Sequence, residues 1–556
     1  MTGVQTCALP ISAPGPQTLV GGPGAGGQVT VDGSGSTWNA SGLTGIGTGP
    51  ASGTVIVRNG GQTHFTGLTL GNPDAASRST LTVSGAGSLV RNTGTLAIDL
   101  GTLQVDTGGT VSAGVLQVGA QGVVNLNGGT LSFDSFANEG SFNWAAGTLL
   151  FDREVNLRAE PLLGAITMLG TGRTLQARTL TPDSDSILKL AGGSARFETL
   201  LHTGLAVVGP SSTLALTGGT PLAVPSELEP VEAALDNQGL VQLTGGTLSA
   251  AGAIVNREVL SGWGRIAGGG GLTNTGLIAV TGGDLDLSNT GYVHNTGTWA
   301  MLAGRSLTLS GGLFFNEGAM SLAGGTIAAS GNGRLVNRPL ATLTGHGEIS
   351  APFSNAGRLV VDGGTLNISQ SFTSSGEVLL STSASTLSGG PLTNRGRISG
   401  QGRIDNPITN FGTVSAQGAG TTLTLAGDVH NQGTLEVDPG ATLQLPGGLG
   451  ENHGVILLAG GSFDGGAAGG INVTRGVISG HGSLRVGTLL NEGHMLLGGG
   501  ASELHADLTN GAGDFETAAG QIVLSGDTTF HGTARFEAGS ELRVAGGTVA
   551  TFLGAV

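Results

Sequence analysis

The sequence predicts an all-β fold, a parallel β-solenoid expected to wind as a right-handed β-helix with roughly three short strands per ~21-residue coil. Three observations carry this. First, Asn274, Asn295, Asn316 and Asn337 recur at steps of 21 residues. Second, each unit holds two pairs of apolar residues at alternate positions, such as Ile278/Val280 and Leu285/Leu287. Period-2 alternation is the mark of a half-buried strand. Third, a Gly pair separates the two apolar pairs, as at Gly282-Gly283 and Gly324-Gly325. The extra residue changes parity, so the chain must bend there if both pairs are to face one core. Glycine tolerates the positive φ of such a corner, and Asn is expected to adopt it most readily among the others. A short apolar patch, Val293 or Leu335, supplies the third strand. Successive β-hairpins are the competing fold, because Gly-Gly also closes two-residue turns. They explain neither the third patch nor the regular Asn.

Composition narrows the function classes. The chain has 556 residues, of which 107 are Gly, and only 11% are charged, against about 25% in average soluble domains. The 38% of hydrophobic residues fall at regular alternate positions, which a disordered linker does not require. About 25 coils at ~4.8 Å spacing would make a column on the order of 120 Å long. The net charge is −15 and Lys189 is the sole lysine, so no basic stripe exists for nucleic acid or an anionic membrane surface. No apolar run approaches the ~18 residues of a membrane-spanning helix.

Taken in order, residues 1–12 (MTGVQTCALPIS) resemble the translation of a sequencing-library adapter and are set aside, together with Cys7, the only cysteine. Residues 13–150 form N-terminal solenoid coils, with strands at Thr80–Val83, Leu103/Val105 and Val124/Leu126 and corners at Gly128-Gly129 and Asn138-Glu139-Gly140. Residues 151–236 are irregular coils. They contain Arg153, Arg158, Arg173 and Arg178, and a Pro- and acid-rich segment, PLAVPSELEPVEAALD, at 221–236. Ser226 is placed to cap a helical turn there, and the segment is expected to project as a loop. Residues 237–556 return to regular repeats, including Asn355 to Ile368 and the 21-residue steps Asn410, Asn431, Asn452. A longer motif overlays them: Ser261-Gly-Trp-Gly-Arg-Ile266, Thr344-Gly-His-Gly-Glu-Ile349, Ser399-Gly-Gln-Gly-Arg-Ile404 and Ser479-Gly-His-Gly-Ser-Leu484. Its variable centre (Trp263, His346, Gln401, His481) is expected to face solvent.

The run of Gly-Ser-Thr-Trp38, Thr-Leu-Thr-Val83-Ser-Gly and Asn-x-Gly-x-Leu resembles the passenger region of Gram-negative autotransporter adhesins and related β-strand-repeat surface proteins. The resemblance covers most of the chain after Gln28, and its degenerate motifs speak to architecture more than to any one ligand. It implies a downstream outer-membrane β-barrel. This sequence shows no barrel pattern, so the chain is expected to be truncated at both ends.

Candidate chemistry was weighed against structural use. Stacked Asn side chains are expected to hydrogen-bond along the column and satisfy corner backbone groups. Asp284 and Asp286 form the closest outward acidic pair, but Arg305 and Leu307 follow them 21 residues on. The ten histidines show no His-x-His or His-Glu-x-x-His, and no nucleophile elbow or phosphate loop occurs. Thr422/Thr424 raises an ice-binding face, which would require such pairs to align in successive coils. No catalytic, cofactor-binding or metal-ligating residue is assigned, and no cofactor.

The expected function is that of a non-enzymatic rod, secreted or held on the bacterial outer membrane. It would serve as a stalk or adhesin passenger that contacts cell-surface or extracellular-matrix ligands. The alternative is a polysaccharide-degrading, pectate-lyase-like β-helix enzyme. That reading requires three or more acidic or basic side chains meeting on one face of adjacent coils.

Overall fold

The structure, a computed structural model, describes residues 3–7, 11–13, 17–22, 24–74, 78–164, 166–181, 183–220, 232–289 and 291–556. The described residues contain strands and turns and no helix. They fall into two compact units, Met1–Gly271 and Leu272–Val556, and each is a parallel β-solenoid.

One coil of Leu272–Val556 explains the rest. Thr298–Met301 makes a first face, Ser306–Leu309 a second and Leu313–Asn316 a third. Each strand pairs in parallel with its counterpart one coil on, Thr298–Met301 with Ala319–Leu322 and Leu313–Asn316 with Arg334–Asn337. In several coils the first two faces are one strand bent in the middle, as in Ala319–Ala329 and Arg358–Ile368. The bend falls where parity demanded it. Gly324 and Gly363 take φ of 82° and 63°, and Met320, Leu322, Ile327, Leu359, Val361, Leu366 and Ile368 all lie in the core. The predicted inward assignment of Ile278, Val280, Leu285 and Leu287 holds as well. Stacked strands bury these side chains only against the coils before and after, which makes the core a column.

The asparagines turn out differently from the expectation about their backbone. None of the repeat asparagines has a positive φ; among the described residues, the non-Gly residues that do are Asn59, Ser211 and Leu340. Asn is there for its side chain. Each is the last inward residue of the third face and is fully buried. Asn274 Nδ2 donates to Asn295 Oδ1 at 2.7 Å, Asn295 to Asn316 and Asn316 to Asn337 at 2.8 Å, and Asn337 to Asn355 at 2.7 Å. The other amide hydrogen reaches a backbone carbonyl at the start of the first-face strand in the following coil, Thr298 O from Asn274 and Ala319 O from Asn295. The ladder resumes at Asn394 and runs through Asn410, Asn431, Asn452, Asn472 and Asn491 to Asn510. The expected ladder is therefore present.

The Gly two residues after Asn295, Asn316 and Asn431 is also there for a reason other than φ. A Cβ on Gly297, Gly318 or Gly433 would collide with the carbonyl of the equivalent Gly one coil earlier. Backbone approach, rather than left-handed torsion, excludes a side chain there.

In Met1–Gly271 the same three faces recur with other residues. The third-face row reads Val20, Ile46, Leu70, Ile98 and Val118, stacked in register and buried. The next rung, Asn138 on Val118, is exposed, and the first buried polar rung is His202, which pairs with Asn237, and Asn237 with Asn256. Within residues 1–12, the backbone of Gly3–Cys7 lies on Gly27–Val31, and Ile11–Ala13 lies on Trp38–Ala40. The stretch set aside from the sequence reading thus takes strand positions in the first coil.

Candidate functional site

The residues singled out from sequence do not converge on one site. Asp284 and Asp286 both point outward and serve the next coil. Asp284 Oδ1 accepts from the Ser306 N–H at 2.8 Å and Asp286 Oδ1 from Ser310 Oγ at 2.7 Å. Thr422 and Thr424 stack on Thr442 and Gln444, so the double row ends after one coil. A single row does run on through Thr110, Thr130, Thr148 and Thr174. Of the 221–236 segment, 221–231 lie outside the described residues, Ser226 among them; the segment's ends meet through the Thr220 N–H and the Glu232 carbonyl at 2.9 Å.

The Gly-x-Gly centres have a use that sequence reasoning missed. Trp263 faces out, 37% exposed, and its ring comes within 2.6 Å of where a Gly245 Cβ would stand, one coil earlier. His346 lies between Gly324 and Gly364 of the two flanking coils, and His481 lies beside Gly460 and Gly500 in the same way. In these three coils a flat side chain roofs a bare glycine corner, which Gln401 does not do. The signal was present, since a Gly pair lies one coil away from each such ring.

Charged side chains gather outside the regular repeats. Phe133, Phe151, Ala177 and Phe197 stack inward on the second face, and the residues that follow them, Asp134, Asp152, Arg178 and Glu198, form an outward row. Arg178 Nη2 lies 3.1 Å from Asp152 Oδ1, with the Asp152 side chain 85% exposed. Four charged residues on adjacent coils is the count that the enzyme reading asks for, although only Asp152 and Arg178 form an ion pair. Asp134 and Asp152 border a shallow cavity of about 520 Å³ with Arg91 and Gln176.

A second feature sits beside that row. On the first face, strands pair in order from Gly27–Asp32 through Gly53–Arg58, Ser79–Ser84, Gly101–Asp106 and Val123–Asn127 to Ser141–Ala146. Pairing then stops. The next first-face strand, Ile166–Gly170, pairs forward with Ile187–Ala191 and not backward. On the third face Ser135–Asn138 is likewise unpaired to Glu154-Val155, while the second face stays closed through Gly147–Phe151 and Arg173–Ala177. Among the described residues, every other step of these three faces within the unit is paired.

The interruption leaves inward residues uncovered. Phe142 and Trp144 sit in register on Val124 and Leu126, which are fully buried, and Phe136 sits on Leu116; yet all three aromatics are partly exposed. Residues 156–164 tuck in Leu157 and Glu160 beside the gap, and Arg153 Nη2 holds the buried Glu160 carboxylate at 2.7 Å. Two cavities remain. One of about 510 Å³ is lined by Phe142, Trp144, Leu162, Ile166, Met168 and Arg173, and one of about 470 Å³ lies on the third-face side by Phe136, Arg153 and Glu160. Both fall within the ~300 to 1,000 Å³ of ordinary ligand clefts. The Arg173 guanidinium sits 5.9 Å from the Trp144 ring centroid.

His202 is the remaining buried ionisable group of note. It occupies the ladder position ahead of Asn237, and its Nε2 lies 3.1 Å from the Leu240 carbonyl, as an Asn amide would. Burial holds its pKa below the ordinary value of 6.5, against the pull of the Leu240 and Gly204 carbonyls. Among the described residues, no group of three or more His, Cys, Asp or Glu gathers in a way that could hold a metal ion. No protein-family model matches the chain, and no curated protein matches it.

Proposed function

We propose that this chain is the binding portion of a bacterial surface or secreted protein, a non-enzymatic solenoid whose outward faces attach to cell-surface or matrix ligands. The observation that carries the reading is the division of labour within each coil. Inward positions are occupied by aliphatic residues and a self-satisfied amide ladder, while outward positions hold short polar residues that vary freely. A solenoid of this kind multiplies contact surface with length and needs no chemistry at any one coil. The resemblance to autotransporter passengers points the same way and adds a downstream outer-membrane barrel as the anchor. The test is attachment: cells displaying the chain are compared with bare cells on epithelial monolayers and on immobilised matrix proteins. Equal retention of the two would overturn the reading.

A second reading rests on the Asp134–Asp152–Arg178–Glu198 row. Asp134 and Asp152 border one cavity, and a pair of carboxylates flanking the scissile bond is what glycoside hydrolysis uses. Against it, Asp152 is largely solvated and already neutralised by Arg178. Release of new reducing ends or unsaturated products from acidic polysaccharides, lost in Asp134→Asn and Asp152→Asn, would establish the enzyme in place of the attachment protein.

A further inference from the structure

We infer that the interrupted junction is a slot for an extended peptide strand from a partner protein, one with apolar residues at alternate positions and a carboxylate at its C-terminal end. The inference is separate from the attachment reading, because it concerns one junction and would hold for a solenoid of either function.

Backbone polarity selects the occupant. In a parallel ladder each residue turns its N–H and C=O to one neighbour, and the next residue turns them to the other. The Ser141 N–H bonds back to the Gly122 carbonyl, so residues 142 and 144 turn theirs toward the gap. Across it, the Leu205 N–H bonds to the Ser186 carbonyl. Counting back through the Ile187–Ile166 register, Ile166 and Met168 turn their groups toward the gap as well. Two parallel edges with free donors and acceptors thus face one opening. An added strand satisfies both at once with donors and acceptors at the matching repeat, whereas an acyl chain has none and a saccharide's hydroxyls lack that repeat.

Side-chain chemistry sets the sequence of that strand. Its inward residues would cover Phe142 and Trp144, as Val124 and Leu126 are covered from the other side, so they must be apolar and two apart. Its outward residues would lie beside Ile166 and Met168, whose side chains are 69% and 59% exposed. Running parallel to Ser141–Ala146, it would end at the corner where Gly147 pairs with Arg173. Arg173 forms no ion pair among the described residues, and its guanidinium is held against Trp144. A carboxylate there gains a charge-assisted partner. The chain's own first-face strand Gly101–Asp106, GTLQVD, has this pattern, with Leu103 and Val105 inward and Asp106 last.

The test uses the full chain and a fluorescein-labelled GTLQVD peptide with a free C-terminus, read by fluorescence anisotropy. A peptide of the same composition with the alternation scrambled serves as the comparison. Two variants separate the contributions. Met168→Pro removes a gap-facing N–H while leaving the inward row alone, and proline is tolerated on a strand edge. Arg173→Ala removes the cation. Saturable binding of GTLQVD but not of the scrambled peptide is expected, weakened at least ten-fold in each variant, with far-UV circular dichroism unchanged. The slot is overturned by failure of GTLQVD to saturate, by equal binding of both peptides, or by binding that neither variant weakens. Displacement of the peptide by maltoheptaose or octanoate at equal concentration would show a different class of occupant and overturn it also.

Discussion

The last inward position of the third face is filled in two ways. From Val20 to Val118 it is aliphatic; from Asn237 to Asn510 it is almost always an amide. Both rows are equally buried, so burial alone does not distinguish them. Spacing does. Steps between aliphatic rungs run from 20 to 28 residues, whereas amide rungs lie 16 to 21 apart. Aliphatic contact is non-directional and accepts any corner that returns a methyl group to the column. An Asn must place its oxygen under one amide and its nitrogen beside one carbonyl, so it accepts only a tight corner. The interrupted junction falls between the two regimes, after Val118 and before His202, in coils that have neither kind of row.

The most drastic way to break this comparison ignores the row and attacks the column. Leu366→Asp puts an unpaired charge at a fully buried position. It should cost at least about 4 kcal/mol and melt adjoining coils with it. Circular dichroism melts read the loss; an unchanged melting curve would contradict the inward assignment.

Exchanging the two chemistries comes next. Asn431→Leu leaves one buried Asn410 Nδ2 hydrogen without its acceptor and leaves Asn452 Oδ1 with only the Gly454 N–H at 3.3 Å. A cost of roughly 2–4 kcal/mol is expected. Leu70→Asn, which sets a lone amide between Ile46 and Ile98, should cost a similar amount. If urea midpoints show that either exchange is neutral, the two rows are interchangeable and the distinction fails.

A smaller effect of opposite sign sharpens it. Ser374 interrupts the amide row: it receives Asn355 Nδ2 on its Oγ at 3.0 Å, but the Asn394 Oδ1 one coil on has no partner. Ser374→Asn extends the side chain to that oxygen and should stabilise the protein by about 1 kcal/mol. A fall in stability would mean that the serine is there because the coil has no room for an amide.

The last effect is a dependence on pH at His202. Its pKa is lower folded than unfolded, so the unfolded chain binds the proton first on acidification. The contribution of the neutral ring is fully present above about 6.5 and is lost as the pH falls toward the depressed folded value. His202→Asn, which puts the ladder's own residue at this rung, should flatten the decline in Tm between neutral and mildly acidic pH. A decline of the same slope in both proteins would remove His202 as its source.

Much of this was legible in the sequence because it is local and periodic. The parity change at Gly282-Gly283 forces a bend whatever the partner strands are, and the Asn spacing gives the ladder its rungs. Reasons acting between coils were harder to see. Gly297 reads as a turn residue, yet what excludes a side chain is the Gly276 carbonyl 21 residues away. Val20, Ile46, Leu70 and Ile98 occupy the row later held by Asn, but irregular steps and ordinary aliphatic residues hide their equivalence. The unpaired edges are the extreme case. Ser141–Ala146 and Ile166–Gly170 each form an ordinary strand locally, and only long-range register reveals that each lacks a neighbour on one side.

The fold depends most on an amide ladder closed inside parallel coils. Hydrogen exchange at the side-chain amides of Asn410, Asn431 and Asn452, followed by NMR on protein labelled with ¹⁵N-asparagine, tests it directly. Signals that persist long after those of the exposed Asn59 and Asn143 have vanished are the predicted result. Ladder amides that exchange as fast as those two would contradict it.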